Sequence, residues 1–130
     1  MMDRAGAQEA YQRGLDQMDM NQFDPAIASF SLAVGRDPDC VEAYMARGTV
    51  FMKKGSHDQA IADFDRADRL SPGVRNVYAL RGAAYRALGR LTEAAADYAR
   101  AVKQYPDNAH YRDLYEQVRG ELEEGNDRPP

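Results

Sequence analysis

The chain has 130 residues, 29% of them charged, with a formal net charge of −4, two histidines and a single cysteine. That length suits one domain, the acidic balance is opposite to the basic footprint of a nucleic-acid binder, and a lone cysteine forms no internal disulfide. No apolar run approaches the roughly 20 residues that span a bilayer, so no membrane insertion is expected and a cytoplasmic location is the expectation.

In chain order, residues 1–6 read as a short polar tail, too short for a secretory signal. A first helix then carries Tyr11, Gly14, Leu15 and Met18, and Asn21 can end it in the left-handed conformation. Asp24 fits the N-cap of a second helix with Pro25 at its first position. That helix carries Ala26, Phe30 and Ala33 and stops before Pro38. The plan then repeats. In 41–54, Val41, Tyr44, Met45, Gly48, Phe51 and Met52 follow one helical face. Gly55 ends that helix, Asp58 fits the next N-cap, and Ala60, Phe64 and Ala67 precede Pro72. A third pass brings Tyr78, Gly82 and Tyr85, then Gly89, Thr92 as N-cap, then Ala94, Tyr98, Ala101 and Pro106. Residues 109–124 read as one more amphipathic helix with Tyr111, Leu114, Tyr115, Val118 and Leu122 on its apolar stripe. Residues 125–130 are a polar tail, expected to be mobile.

The three passes are in strict register. Gly14, Gly48 and Gly82, then Ala26, Ala60 and Ala94, then Ala33, Ala67 and Ala101, then Pro38, Pro72 and Pro106 all recur at a spacing of 34 residues without insertion. A fixed period in this range marks a stacked repeat array. The units also share Tyr44-x2-Arg47-Gly48-x2-Phe51 and Tyr78-x2-Arg81-Gly82-x2-Tyr85, followed by Ala-x3-aromatic at Ala26/Phe30, Ala60/Phe64 and Ala94/Tyr98. This pattern resembles the tetratricopeptide repeat, a helix–turn–helix unit of 34 residues. It departs from the family in lacking Trp at the first aromatic slot and in placing Arg13, Arg47 and Arg81 where Leu is frequent. An arginine stem can pack there while its head stays wet.

The resemblance implies an all-α fold, a right-handed α-solenoid of three repeats over 7–40, 41–74 and 75–108 with a capping helix over 109–124, seven helices in all. Repeat 1 carries Glu9, Ala10, Asp16 and Gln17 where repeat 2 carries Ala43, Tyr44, Val50 and Phe51. Its outward face is therefore polar, as a terminal unit requires. Glu116 in the glycine slot of the last helix would obstruct a further packed partner.

Candidates for chemistry are few. Cys40 follows Pro38 among Asp37, Asp39 and Glu42, the reverse of the electropositive setting of a reactive thiolate. His57 stands in the slot of Phe23 and Leu91 and reads as a packed core histidine, while His110 reads as a surface residue. Asp63, Asp65 and Asp68 read as solvent-facing. The glycines are explained by packing and caps, so no phosphate loop remains. These readings predict no enzyme, no metal and no cofactor. Charge is uneven: repeat 3 sets Arg75, Arg81, Arg86, Arg90, Arg100 and Lys103 against Glu93, Asp97 and Asp107. That excess suits acidic residues of a partner, or of a second copy.

The resemblance places ligand binding in a concave groove lined by the first helix of each repeat. Tyr11, Leu15, Met18, Met45, Met52 and Leu80 form its apolar strip, with Thr49, Asn76 and Arg86 as polar members. Such a surface suits a peptide or amphipathic helix of a partner protein, and methionine adapts to varied shapes. Carboxylate-clamp members of the family grip the C-terminal carboxylates of heat-shock chaperones with Lys, Asn and Arg at five groove positions. Here those positions hold Tyr11, Leu15, Ala46, Asn76 and Leu80. The leading expectation is an adaptor or scaffold module. Two alternatives stand beside it: a chaperone of a secretion substrate, resembling the small tetratricopeptide chaperones of type III translocators, and a self-assembling (homo-oligomeric) subunit of a larger complex.

Overall fold

The computed structural model describes residues 2–127 and is helical throughout, with no strand among the described residues. Seven helices follow one another: α1 (Arg4–Asp19), α2 (Phe23–Arg36), α3 (Val41–Lys54), α4 (His57–Leu70), α5 (Val77–Ala87), α6 (Leu91–Gln104) and α7 (Ala109–Asp127). They fall into two compact units, Met1–Val74 with α1 to α4 and Arg75–Pro130 with α5 to α7.

Within each hairpin the close approach is made at the glycine slot. A Cβ on Gly14 would lie 2.5 Å from the Phe30 ring, and one on Gly48 would lie 2.7 Å from the Phe64 ring. One on Gly82 would lie 3.1 Å from the Tyr98 ring. The aromatic on the next helix, 16 residues on, therefore fills the space that the glycine leaves, and Phe30, Phe64 and Tyr98 are buried. Ala26, Ala60 and Ala94, and Ala33, Ala67 and Ala101, are buried beside them. Small residues at these positions set the interhelical distance.

The turn inside each hairpin is short for a local reason. Asn21, Gly55 and Gly89 all have positive φ, at 58°, 81° and 76°. The next N–H then reaches back over the end of the first helix: Gln22 to Gln17 O, Ser56 to Phe51 O and Arg90 to Tyr85 O. This Schellman closure satisfies orphan carbonyls. It also moves the N-caps. Asp24, Asp58 and Thr92 are not N-caps, because the residue after the left-handed one already occupies that position. The N-caps are Gln22, Ser56 and Arg90, none with a side-chain capping bond. Pro25 consequently stands third in α2, still within the first turn where a missing N–H costs nothing.

Both chain ends are more helical than the sequence suggests. Residues 4–6, expected in a tail, form the first turn of α1. Asp3 is its N-cap and accepts the Gly6 N–H at 2.9 Å. Asp3 also pairs with Arg36 at the end of α2, at 2.9 Å, and its own N–H donates to Arg36 O. Helix α7 runs three residues past the expected end at 124, taking in part of the expected tail; residues 128–130 lie outside the described residues. Between α4 and α5, Gly73 and Asn76 have φ of 68° and 69°. That irregular link delays α5 to Val77, two residues into the third repeat.

Two adjoining core clusters lie in unit 1. One holds Ala10, Ala33, Cys40 and Ala43, the other Ala26, Phe30, Ala46 and Val50. In unit 2 the cluster of Ala94, Tyr98 and Val118 joins α6 to α7, with Tyr85, Leu91, Leu114 and Leu122 packed around it. Helix α7 is thus part of the core of unit 2.

Candidate functional site

Of the three arginines in place of the family's leucines, Arg13 is exposed, whereas Arg47 and Arg81 are held in part-buried ion pairs. Arg47 Nε and Nη2 donate to the two oxygens of Asp63 at 2.9 and 2.7 Å, and its Nη1 donates to Ser31 Oγ at 3.2 Å. Arg81 meets Asp97 through Nε and Nη2, both at 2.8 Å. Asp63 is 4% exposed and Asp97 fully buried, so the expectation of a solvent-facing Asp63 is corrected. Asp65 and Asp68 are half-buried, and Asp68 accepts the Gly73 N–H at 2.9 Å. In repeat 1, Ser29 takes the carboxylate's place and receives Arg13 Nε at 3.3 Å. Burial pushes the Asp63 carboxyl up, and Arg47 opposes that shift. These pairs are satisfied internally and tie helix to helix.

Chemistry is equally muted elsewhere. Cys40 is buried in the first core cluster, and burial pushes its thiol up, with Glu42 and Asp37 adding to the shift. A thiol in that state is a poor nucleophile. His57 is half-buried, not a full core residue; its Nδ1 lies 3.5 Å from Met52 Sδ.

Unit 1 places six of the candidate groove residues on two helices, Tyr11, Leu15 and Met18 on α1 and Met45, Thr49 and Met52 on α3, all half-buried. The α1 residues are not idle: Tyr11, Leu15 and Met18 pack against the cluster of Ala26, Phe30, Ala46 and Val50. The Tyr11 and Phe30 rings have centroids 5.9 Å apart. Internal packing therefore uses part of the strip. Thr49 Oγ1 donates to Met45 O of its own helix at 2.9 Å. None of these side chains carries a charge, and the surface they offer is apolar.

Unit 2 holds Asn76, Leu80 and Arg86, and α7 engages two of them. Tyr111 OH donates to Asn76 Oδ1 at 2.7 Å. Arg86 Nε donates to Glu121 at 3.1 Å and Nη1 to Gln117 at 3.3 Å. Between α5 and α7 lies a cleft of about 430 Å³. Ala79, Leu80, Ala83 and Leu114 give it apolar walls, Tyr98 closes one side, and Asn76, His110 and Tyr111 supply polar groups. Burial raises the Tyr98 hydroxyl above its ordinary value, although Arg86 beside it pulls the other way. At the level of sequence, 109–124 reads only as a capping helix, which misses the share of α7 in this wall. The signal was available: counted from residue 109, His110, Leu114, Gln117 and Glu121 fall at the repeat positions that define the inner face of the first helices.

Among the described residues no helix is long and apolar enough to cross a membrane. Two family profiles, each described as tetratricopeptide repeat, match residues 11–75 and 51–118. Among solved structures, the first TPR of Spaghetti (RPAP3), bound to the HSP90 peptide SRMEEVD, has a TM-score of 0.89 at 24% identity, covering 93% of this chain and 96% of that one. The first TPR domain of human RPAP3 gives 0.87 at 23%, covering 97% and 100%. The Arabidopsis OM64 TPR domain gives 0.86 at 22%, covering 91% and 98%. At these identities the likeness is one of fold, that of three-repeat helical solenoids. Comparison with curated protein sequences finds no match. From its family profiles, its period and its helix order together, the chain belongs to the tetratricopeptide repeat family.

Proposed function

We propose that this chain is a non-catalytic adaptor that holds a peptide segment of a partner protein, extended or as an amphipathic helix, on the inner faces of its first helices. The observation that carries this reading is the cleft beside α5, with an apolar floor and a few convergent polar groups. The half-exposed Met45 and Met52 of α3 add an adaptable apolar surface in unit 1. The HSP90 peptide held by the Spaghetti neighbour supports a peptide as the class of ligand. The grip differs, because the five clamp positions hold Tyr11, Leu15, Ala46, Asn76 and Leu80. A free C-terminal carboxylate is therefore not the anchor, and amidating the C-terminus of a bound peptide leaves its affinity unchanged.

The test is selection from a random dodecapeptide library displayed on phage. Wild-type protein enriches a motif; Met45→Glu and Leu80→Glu lose it while helical content and melting stay close to wild type. Enrichment of nothing by the wild type overturns the reading. Light scattering over a range of concentrations separates this adaptor from a self-assembling subunit.

A further inference from the structure

The cleft in unit 2 does not stand alone. A second recess of about 110 Å³, lined by Arg75, Asn76, Tyr105, Asn108 and Tyr111, adjoins it. The two share Asn76 and Tyr111, whose side chains are hydrogen-bonded to each other. One is apolar; the other is polar and carries a cation.

That cation differs from the other arginines of its repeat. Arg81 and Arg100 both pair with Asp97, Arg90 pairs with Glu93, and Arg86 pairs with Glu121. Four of the six basic residues of the third repeat therefore already have an acidic partner. Arg75 is exposed and makes no ion pair among the described residues. Asp107 and Asp113, which flank Asn108 and Tyr111 in the sequence, are exposed and line neither recess, and Asp68, seven residues before Arg75, accepts the Gly73 N–H. Lys103 is exposed too, but lines neither.

We infer that the segment taken by unit 2 carries an acidic side chain beside a large aliphatic one, the aliphatic group entering the α5–α7 cleft and the carboxylate meeting Arg75. This rests on the peptide-binding reading and names the chemistry of its ligand. Complementarity of charge selects the acidic residue, and the walls of Ala79, Leu80, Ala83 and Leu114 select the aliphatic one. Arg75 lies outside the five clamp positions, so the contact needs no chain terminus.

The experiment uses the same phage library, displaying internal dodecapeptides, against wild type, Arg75→Glu and Ala83→Leu. Wild type is expected to enrich Glu or Asp next to Leu, Met or Ile, with an acidic-over-basic preference of about threefold to fivefold for one partly exposed ion pair. Arg75→Glu reverses that preference and keeps the aliphatic residue. Ala83→Leu, which fills the cleft, loses the aliphatic preference and keeps the acidic one. Unchanged circular dichroism melts confirm that both variants fold. A motif without an acid, or one that Arg75→Glu leaves as it was, overturns this inference and leaves the adaptor reading intact. No enriched motif at all sinks both.

Discussion

Arg47 and Asp63, on α3 and α4, share a two-pronged ion pair at 2.7 and 2.9 Å, and Arg81 and Asp97 repeat it in the next hairpin at 2.8 Å. Each carboxylate lies 16 residues beyond its arginine. Its depth decides its energetics. Removing one member of a buried pair leaves an uncompensated charge, whereas removing both is far cheaper.

A double-mutant cycle at Arg47 and Asp63 therefore separates the pair from its members. Arg47→Leu alone is expected to cost about 3 kcal/mol, toward the lower bound for buried pairs because the Arg47 side chain is 20% exposed. Combining it with Asp63→Leu brings stability back to within about 1 kcal/mol of wild type. Urea unfolding provides the readout. Equal losses in single and double variants would show that the ion pair is not what holds α3 to α4. Asp97 is the poorer site for this cycle, since Arg100 also reaches it, at 2.9 Å.

The glycine slots give a graded series. Alanine in place of glycine gains about 1 kcal/mol of helix propensity, while forcing atoms into a packed core costs about 1–3 kcal/mol. At Gly14 and Gly48 the new Cβ would meet a phenylalanine ring at 2.5 and 2.7 Å, so the clash wins and both variants melt lower. At Gly82 the nearest atoms of Tyr98 are 3.1 Å away, and the two effects come close to cancelling. Thermal melts of Gly14→Ala, Gly48→Ala and Gly82→Ala test the order. A Gly82→Ala variant that melts below the other two contradicts it.

These two cases show how far the sequence could be read. The glycine–aromatic contact was legible because the same residue types recur at one spacing in all three repeats, and so were the left-handed ends at Asn21, Gly55 and Gly89. The ion pairs were missed although Arg47/Asp63 and Arg81/Asp97 recur with equal regularity, because Ser29 breaks the pattern in repeat 1 and an aspartate on a helix reads first as solvated. The N-caps were misplaced because Asp24 and Asp58 have the favoured chemistry, and only the backbone reach of Gln22 and Ser56 shows that the position is already taken. The repeat register of His110, Leu114, Gln117 and Glu121 marked one face of α7 in the sequence, but that Tyr111, Gln117 and Glu121 meet α5 and Asn76 depends on a tertiary contact.

The start of the chain carries a pH-dependent contact. The Gly6 N–H and then the Arg36 guanidinium hold the Asp3 carboxyl below its ordinary value. A carboxylate favoured in this way contributes stability above its unfolded pKa and loses it as pH falls through the folded one. Asp3→Ala removes cap and ion pair together and is expected to melt below wild type at neutral pH. Asp3→Asn, which keeps a capping side chain, falls between them. The gap between wild type and Asp3→Asn narrows as the pH is lowered from about 7 toward 3, and added salt narrows it as well. A gap that stays constant across that range assigns the effect to something other than the charge.

Among the contacts of helix α7, burial and the ion pair differ greatly in weight. Val118 is fully buried against Ala94 and Tyr98, while the Arg86 and Glu121 side chains remain 29% and 35% exposed. Glu121→Gln gives up a partly exposed ion pair and is expected to cost about 1 kcal/mol or less. Val118→Asp places a carboxylate in an apolar core, at a cost of several kcal/mol unless the group escapes to water. Escape here means releasing α7. Brief trypsin treatment is the direct probe, because Arg112 and Arg119 lie on that helix. Cleavage at these two arginines should be fast in Val118→Asp and slow in both wild type and Glu121→Gln. Rapid cleavage of Glu121→Gln would mean that the Arg86 latch, and not burial of Val118, keeps α7 on its unit.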